Sequence, residues 1–233
     1  MSNEARRAVV TGSSSGIGLA VAQALLAQGW RVQGFDNAPA AVVHENFLPV
    51  QVDLADGAAT EAAACAAEGV GALVHAAGVL RVAPVSELAA ADGDLMWRVH
   101  VDAANRLARA FLPAMQAAGH GRVVLIGSRV ASGIAGRSQY AATKAALVSM
   151  ARSWAAEAVT SGVTVNVVAP AATRTAMLGD PARQATTPKV PPIGRLIEPQ
   201  EVASLVMYLL SPAAAAITGQ EIRICGGASL ERG

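Results

Sequence analysis

Tyr140 and Lys144 lie four residues apart at the start of a stretch with helical periodicity, so their side chains share one face. An ammonium beside a phenol stabilises the phenolate and draws the tyrosine pKa down from ~10. Such a pair can give a proton to an oxygen, or take one from it, near neutral pH. Ser128 follows an apolar run at 122–126, where its hydroxyl could hold a substrate oxygen. Y-x-x-x-K alone is a weak signal, because an exposed Tyr/Lys pair on a helix is a common bland arrangement.

A second stretch gives that pair a context. The turn TGSSSGIG at 11–18 joins the apolar run Ala8-Val9-Val10 to a segment with helical spacing. Its glycines, Gly12, Gly16 and Gly18, follow T-G-x-x-x-G-x-G rather than G-x-G-x-x-G. Glycine lets a backbone approach a diphosphate and lets helix and strand pack closely. N–H groups opening the following helix would face that anion. The turn has no lysine, so a P-loop fails at its G-K-[ST] step. A ligand-free strand-to-helix turn remains a rival for the loop taken alone. Asp36 ends the next strand, 18 residues after Gly18, where a carboxylate could accept hydrogen bonds from an adenosine ribose and would repel a 2′-phosphate. Neither Ser15 nor Asn37 supplies a positive charge, which favours NAD over NADP.

The elements that must position these residues alternate along the chain. Short apolar runs at 8–10, 31–35, 48–52, 72–75, 122–126, 164–168 and 221–224 predict strands. Segments 17–28, 58–67, 95–117, 140–159 and 199–210 predict helices. In the fourth of these, Leu147, Met150, Ala151, Trp154, Ala155 and Ala158 form one apolar stripe. The strands are continuously apolar, as expected when helices cover both faces of a sheet. A parallel, doubly wound α/β sheet in one domain spanning 1–233 is the expected fold. The proline-bearing stretch 171–197 reads as a lid within it.

Composition narrows the function classes. Eighteen basic residues balance 17 acidic ones, which argues against nucleic acid as a partner. Mean hydropathy is positive, yet no run reaches the ~20 apolar residues that span a bilayer. The first residues do not read as a signal peptide. Two distant cysteines, Cys65 and Cys225, suit a reducing compartment, so a cytoplasmic protein is expected. The four histidines (His44, His75, His100, His120) show no ligand spacing, so no metal is expected. Ser128 lacks a G-x-S-x-G setting, which sets a hydrolase aside. Arg129 and Arg174 flank these segments; they could touch an acidic substrate, but solvated arginines are the commoner case.

TGSSSGIG, Asp36, Val52-Asp53-Leu54, HAAG at 75–78, Ser128, YAATK at 140–144, VNVVAP at 165–170 and TGQEIRICGG at 218–227 together resemble the short-chain dehydrogenase/reductase family. The likeness runs from about Arg7 to Gly227. It implies a Rossmann-type seven-stranded sheet and a hydride passed between a nicotinamide and a carbinol or carbonyl carbon. It also implies roles for individual residues. Tyr140 would be the general acid/base. Lys144 would lower its pKa and bind the nicotinamide ribose, and Ser128 would orient the substrate oxygen. Gly12, Ser14, Gly16, Ile17 and Gly18 match the diphosphate loop, Asp36 the adenosine ribose, and Asp53 and Leu54 the adenine site. Ala77 and Gly78 match the wall of the cofactor cleft, and Pro170, Thr173 and Thr175 the segment holding the carboxamide.

The chain departs from the family pattern at three places. His75 stands where asparagine is common, Ala171 follows Pro170 where glycine is common, and His100 falls where many members carry a catalytic asparagine. His100 either relays protons, its ordinary pKa being near neutrality, or fills space. The expected activity is NAD(H)-dependent interconversion of a secondary alcohol and a ketone. The alternatives are an NADPH-dependent 3-oxoacyl-carrier-protein-type reductase and a non-catalytic NAD-sensing member of the fold. The resemblance implies a homo-oligomer, a dimer or tetramer, paired through 95–117 and 140–159. The composition of 176–195 favours a small or polar substrate.

Overall fold

The computed structural model describes residues 6–179 and 189–230. Seven parallel strands form one sheet in the order β3-β2-β1-β4-β5-β6-β7. They are β1 (Arg7–Thr11), β2 (Arg31–Asp36), β3 (Phe47–Gln51), β4 (Ala72–His75), β5 (Gly121–Ile126), β6 (Val163–Pro170) and β7 (Glu221–Ile224). Each of the seven apolar runs is a strand, with ends shifted by two residues or fewer. Pro49, which has no N–H to donate, lies on the edge strand β3.

The helices are α1 (Gly16–Ala27), α2 (Gly57–Ala66), α3 (Ala90–Trp97), α4 (Ala103–Ala117), α5 (Ser138–Ala158) and α6 (Pro199–Leu210). Local chemistry sets several of their starts. Asp56 caps α2 by accepting from the N–H groups of Ala58 and Ala59. Glu198 and Glu201 form a capping box on α6, with Pro199 in its first turn. Two apolar layers sandwich the sheet. One packs Val21, Leu25, Val206 and Leu209 of α1 and α6 beneath Val10 and Val74. The other packs Leu107 and Phe111 of α4 and Leu147 and Ala151 of α5 against Val9, Leu73 and Leu125. Within the α5 stripe Leu147, Ala151, Ala155 and Ala158 are buried, while Met150 and Trp154 are half-covered.

One expectation needs correction. The helix anticipated over 95–117 starts earlier, at Ala90, and is interrupted by a wide π-turn, Arg98–Asp102, before α4 resumes. The turn buries Val99, His100 and Val101. A single extra residue in one turn leaves the apolar periodicity on either side almost unchanged, so spacing alone does not reveal it.

Beyond β1 the chain winds outward through β2 and β3, then returns to lay β4 on the other flank of β1. The strand order reverses there, opening a crevice between the carboxyl ends of β1 and β4. Of the stretch read as a lid, residues 180–188 lie outside the described residues. The remainder is pinned where Thr173 bridges Ile197 and where Ile193 N–H donates to Gly226 O. Among the described residues, no helix is long and apolar enough to cross a membrane.

Candidate active site

The crevice holds a cleft of about 430 Å3, within the range of small-molecule sites. At its floor the glycine loop is shaped by two close approaches. Gly12 has φ 67°, and a Cβ there would stand 3.0 Å from the Cα of Ala77. A Cβ on Gly18 would stand 2.1 Å from the carbonyl oxygen of Gly12, so glycine is what lets α1 sit on the end of β1. Neither acidic nor basic side chains occupy the first turn of α1, which leaves its N–H groups and positive dipole end bare toward the cleft. Loop, helix end and missing Cβ atoms together fit a dinucleotide's diphosphate.

Thr11 fastens this floor to the wall beyond β4. Its Oγ1 accepts from the N–H groups of Ala76 (3.0 Å) and Ala77 (2.9 Å). With both lone pairs engaged, its hydrogen goes to His75 Nδ1 at 3.0 Å. His75 is fully buried, and burial followed by the charge of Lys144 pushes its pKa down to about 3.

Gly12, Gly16, Ile17, Gly18, Asp36, Asp53, Leu54, Ala77, Gly78, Ser128, Tyr140, Lys144, Pro170, Thr173 and Thr175 all line the cleft. Ser14 stands apart: its N–H donates to the Asp36 carboxylate at 2.9 Å and its Oγ reaches Ala38 O at 3.4 Å, so Ser15 takes its place in the lining. The other Asp36 oxygen accepts from Ala38 N–H at 2.9 Å, which fixes the carboxylate at the end of β2. Asp53 Oδ1 accepts from Ala55 N–H. Thr173 donates to Ala171 O at 3.0 Å, and Ala171 N–H continues the sheet register by donating to Ile224 O.

At the other end of the cleft three side chains converge on one apolar wall. Ser128 sits just past β5 and is buried; its Oγ accepts from Val130 N–H at 3.2 Å, leaving the hydroxyl hydrogen to donate elsewhere. Lys144 comes from the second turn of α5 and is buried, with Nζ donating to Ile126 O at 2.9 Å and standing 5.8 Å from the centre of the Tyr140 ring. Burial brings its pKa down from 10.5 to about 7.

His100 hangs from the π-turn behind this group. Thr143 Oγ1 donates to Tyr140 O at 2.9 Å, so His100 Nδ1 carries the proton shared with Thr143 Oγ1 at 2.8 Å. His100 Nε2 then accepts from Val79 N–H at 3.0 Å. The ring meets Tyr140 edge-on at 5.6 Å. Burial and the Lys144 charge hold its pKa well below the ordinary value.

Thr11, Thr143 and Arg137 are structural participants that sequence spacing did not single out. Thr11 was signalled only by its place at the head of the glycine loop. Arg137 lines the cleft three residues before Tyr140. Arg174, by contrast, is held by Glu198 at 2.9 Å and does not line it. Among the described residues, no group of three or more His, Cys, Asp or Glu side chains is arranged to hold a metal ion.

A doubly wound sheet with a glycine loop at its switch point and a Ser, Tyr and Lys set at the same edge defines a nicotinamide-linked oxidoreductase. Residues 12–229 match the family described as Enoyl-(Acyl carrier protein) reductase. The chain is 34% identical to the 3-oxoacyl-[acyl-carrier-protein] reductase of Vibrio cholerae, over 97% of this chain and 98% of that one. It is equally similar, at 34%, to the 2,3-dihydro-2,3-dihydroxybenzoate dehydrogenase of Escherichia coli, over 95% and 96%. A solved short chain dehydrogenase/reductase family protein superposes with a TM-score of 0.90 at 35% identity, covering 99% of this chain and all of the other. The chain belongs to the short-chain dehydrogenase/reductase family.

Proposed function

We propose that this protein interconverts a ketone and a secondary alcohol with a nicotinamide cofactor, and that reduction of a 3-oxoacyl-type ketone is its favoured chemistry. The relatives support the 3-oxoacyl reading over an unspecified alcohol dehydrogenase, because one is named for that reaction and matches end to end. The observation carrying the catalytic part is that Ser128, Tyr140 and Lys144 line the same cleft as the glycine loop.

When bound, the nicotinamide supplies or accepts the hydride. The Tyr140 hydroxyl gives the substrate oxygen its proton on reduction and takes it back on oxidation. Ser128 donates its remaining hydrogen to that oxygen and stabilises the charge that develops there. Lys144 holds a positive charge beside the phenol. Gly12, Gly16, Ile17 and Gly18 would cradle the diphosphate, Asp36 the adenosine ribose, and Asp53 with Leu54 the adenine. Ala77 and Gly78 would wall the ring, with Pro170, Thr173 and Thr175 around the carboxamide. Asp36 supports NAD over NADP: its carboxylate is fixed by two backbone N–H groups, and its sequence neighbours in the lining, Phe35 and Asn37, carry no positive charge.

The same reading extends to one catalytic unit over 1–233 with the segment 171–197 over the substrate, acting in the cytoplasm as a dimer or tetramer. Turnover of 3-oxobutanoate and of a 3-oxoacyl thioester, each with NADH and NADPH, tests the proposal. Tyr140→Phe is expected to lower kcat by ~10²–10⁴-fold with cofactor affinity retained. An unaffected variant would overturn the catalytic assignment and leave the NAD-sensing alternative, while a preference for NADPH would overturn the Asp36 argument.

A further inference from the structure

The two ends of the cleft carry opposite charge. The acidic lining residues, Asp36 and Asp53, sit beyond β2 and β3. Arg129 and Arg137 line the end beyond β5, three strand positions from β2, or about 14 Å. Arg129 follows Ser128 directly, and Arg137 precedes Tyr140 by three residues. Each of the two hydroxyl groups proposed to hold the substrate oxygen therefore has an arginine neighbour.

Neither arginine has an anionic partner among the described residues. Arg129 makes one long contact, Nη1 to Ala228 O at 3.5 Å. Arg137 occupies the cap position of α5, yet its side chain caps nothing. Several arginines elsewhere are paired with carboxylates, among them Arg174 with Glu198, Arg195 with Glu201, Arg81 with Asp92, and Arg106 and Arg109 with Glu61. Others, such as Arg6, Arg98 and Arg122, contact backbone carbonyls without lining the cleft. A half-buried guanidinium without a counter-ion, aimed at a concave site, raises the local concentration of anions and offers a planar fork that matches a carboxylate.

We infer that the substrate carries a carboxylate held by Arg129 and Arg137, beside the carbonyl or carbinol held by Ser128 and Tyr140. This rests on the proposed ketone–alcohol reading and narrows it: among 3-oxoacyl-type compounds the substrate is the free oxo acid, or its hydroxy acid, in preference to a neutral ester or a carrier-bound acyl group.

The test is calorimetric titration of the enzyme saturated with oxidised cofactor, which has no hydride to give the ketone probes. The probes are 3-oxobutanoate and 3-oxocyclohexanecarboxylate, each against its methyl ester. The acids are expected to bind at least about tenfold more tightly than the esters, the range of a charge-assisted hydrogen bond. Arg129→Gln and Arg137→Gln should each erode that preference while cofactor affinity is unchanged, and Arg174→Gln should leave it intact. Equal binding of acid and ester, binding of neither, or a preference surviving both substitutions would overturn the inference. So would a 3-oxoacyl carrier protein that binds more tightly than the acids and loses affinity in the same two variants. Tyr140→Phe separates the two claims. Retained acid preference with lost turnover supports both. Retained turnover sinks the catalytic reading and leaves the anion site standing on binding.

Discussion

Replacing Lys144 by methionine tests the electrostatics of the site without needing a substrate. Lys144 is buried, and burial alone accounts for the fall of its pKa from 10.5 to about 7. In the unfolded chain the amine keeps its ordinary value, so between pH 7 and 10.5 the unfolded state binds the extra proton. Stability therefore rises with pH across that window, and the cost of the buried charge is fully present below it. Linkage between the two values puts the cost at about 4 kcal/mol at pH 7 and about 2 kcal/mol at pH 9. Methionine matches the length and carries no charge. Its other effect, the lost bond to Ile126 O, does not change over this range, because a neutral amine donates as well. Lys144→Met should therefore gain stability relative to wild type as pH is lowered from 9 to 7, by about 2 kcal/mol, or ~4–8 °C in Tm. Urea unfolding of both proteins without cofactor, at one protein concentration, reads this directly. A difference between them that does not change with pH would refute the reasoning.

The geometry sets the outcome of substitutions at four other positions. Gly18→Ala drives a Cβ into the Gly12 carbonyl at 2.1 Å, where no flexible side chain can yield, so cofactor binding should be lost. Gly29→Ala, with φ 77° and nothing within 4 Å, should cost only about 1–2 kcal/mol and leave cofactor titration unchanged. His75 is neutral when folded, with its pKa at about 3 against 6.5 unfolded, so stability falls as pH drops below 6.5, by up to about 1.4 kcal/mol per pH unit. His75→Asn should flatten that acid limb in unfolding measured from pH 7 to 4. His100→Asn should keep substantial turnover, since an amide can both accept from Val79 N–H and donate to Thr143. His100→Phe, which can do neither, should lose most of it with cofactor affinity retained.

The sheet was readable because its strands are short, mostly apolar runs between helical stretches, even where β5 and β6 bury Arg122, Thr164 and Asn166, and because the glycine spacing marks the first crossover. That Ser128, Tyr140 and Lys144 would share one cleft was readable because strand ends and an i,i+4 pair are local features. What escaped is set by contacts distant in sequence. His100 and Thr143 lie 43 residues apart, and nothing in either stretch announces the bond between them. Ser14 matches the loop by position, and its N–H donates to the Asp36 carboxylate, 22 residues on, a bond that its place in the loop does not announce. Arg174 and Arg137 look alike in sequence. Glu198 neutralises one and nothing described neutralises the other, a distinction that exists only once α6 and α5 are in place.

The two histidines where the family often has asparagine form one arrangement with Lys144. Thr11 spends its hydrogen on His75 Nδ1, so the ring proton sits on Nε2, toward the carbonyls of His100 and Val99 but without a hydrogen bond to either. His100 is the opposite tautomer, with Nδ1–H on Thr143 and Nε2 filled by Val79 N–H. Neither ring has a nitrogen available to collect a proton, and burial with the Lys144 charge disfavours one on both. A proton relay through His100 therefore conflicts with its bonding, and its work is to brace the loop after β4 against the first turn of α5. The π-turn is what brings the ring to that position. With the histidines neutral, and no carboxylate among the described residues acting on it, the Lys144 ammonium stands 5.8 Å from the ring centre of a group able to become an anion, the phenol of Tyr140. Ionisation of Tyr140 supplies the buried charge with its missing partner. The same dry setting that makes Lys144 costly in the resting protein thus favours the tyrosinate that chemistry at the substrate oxygen requires.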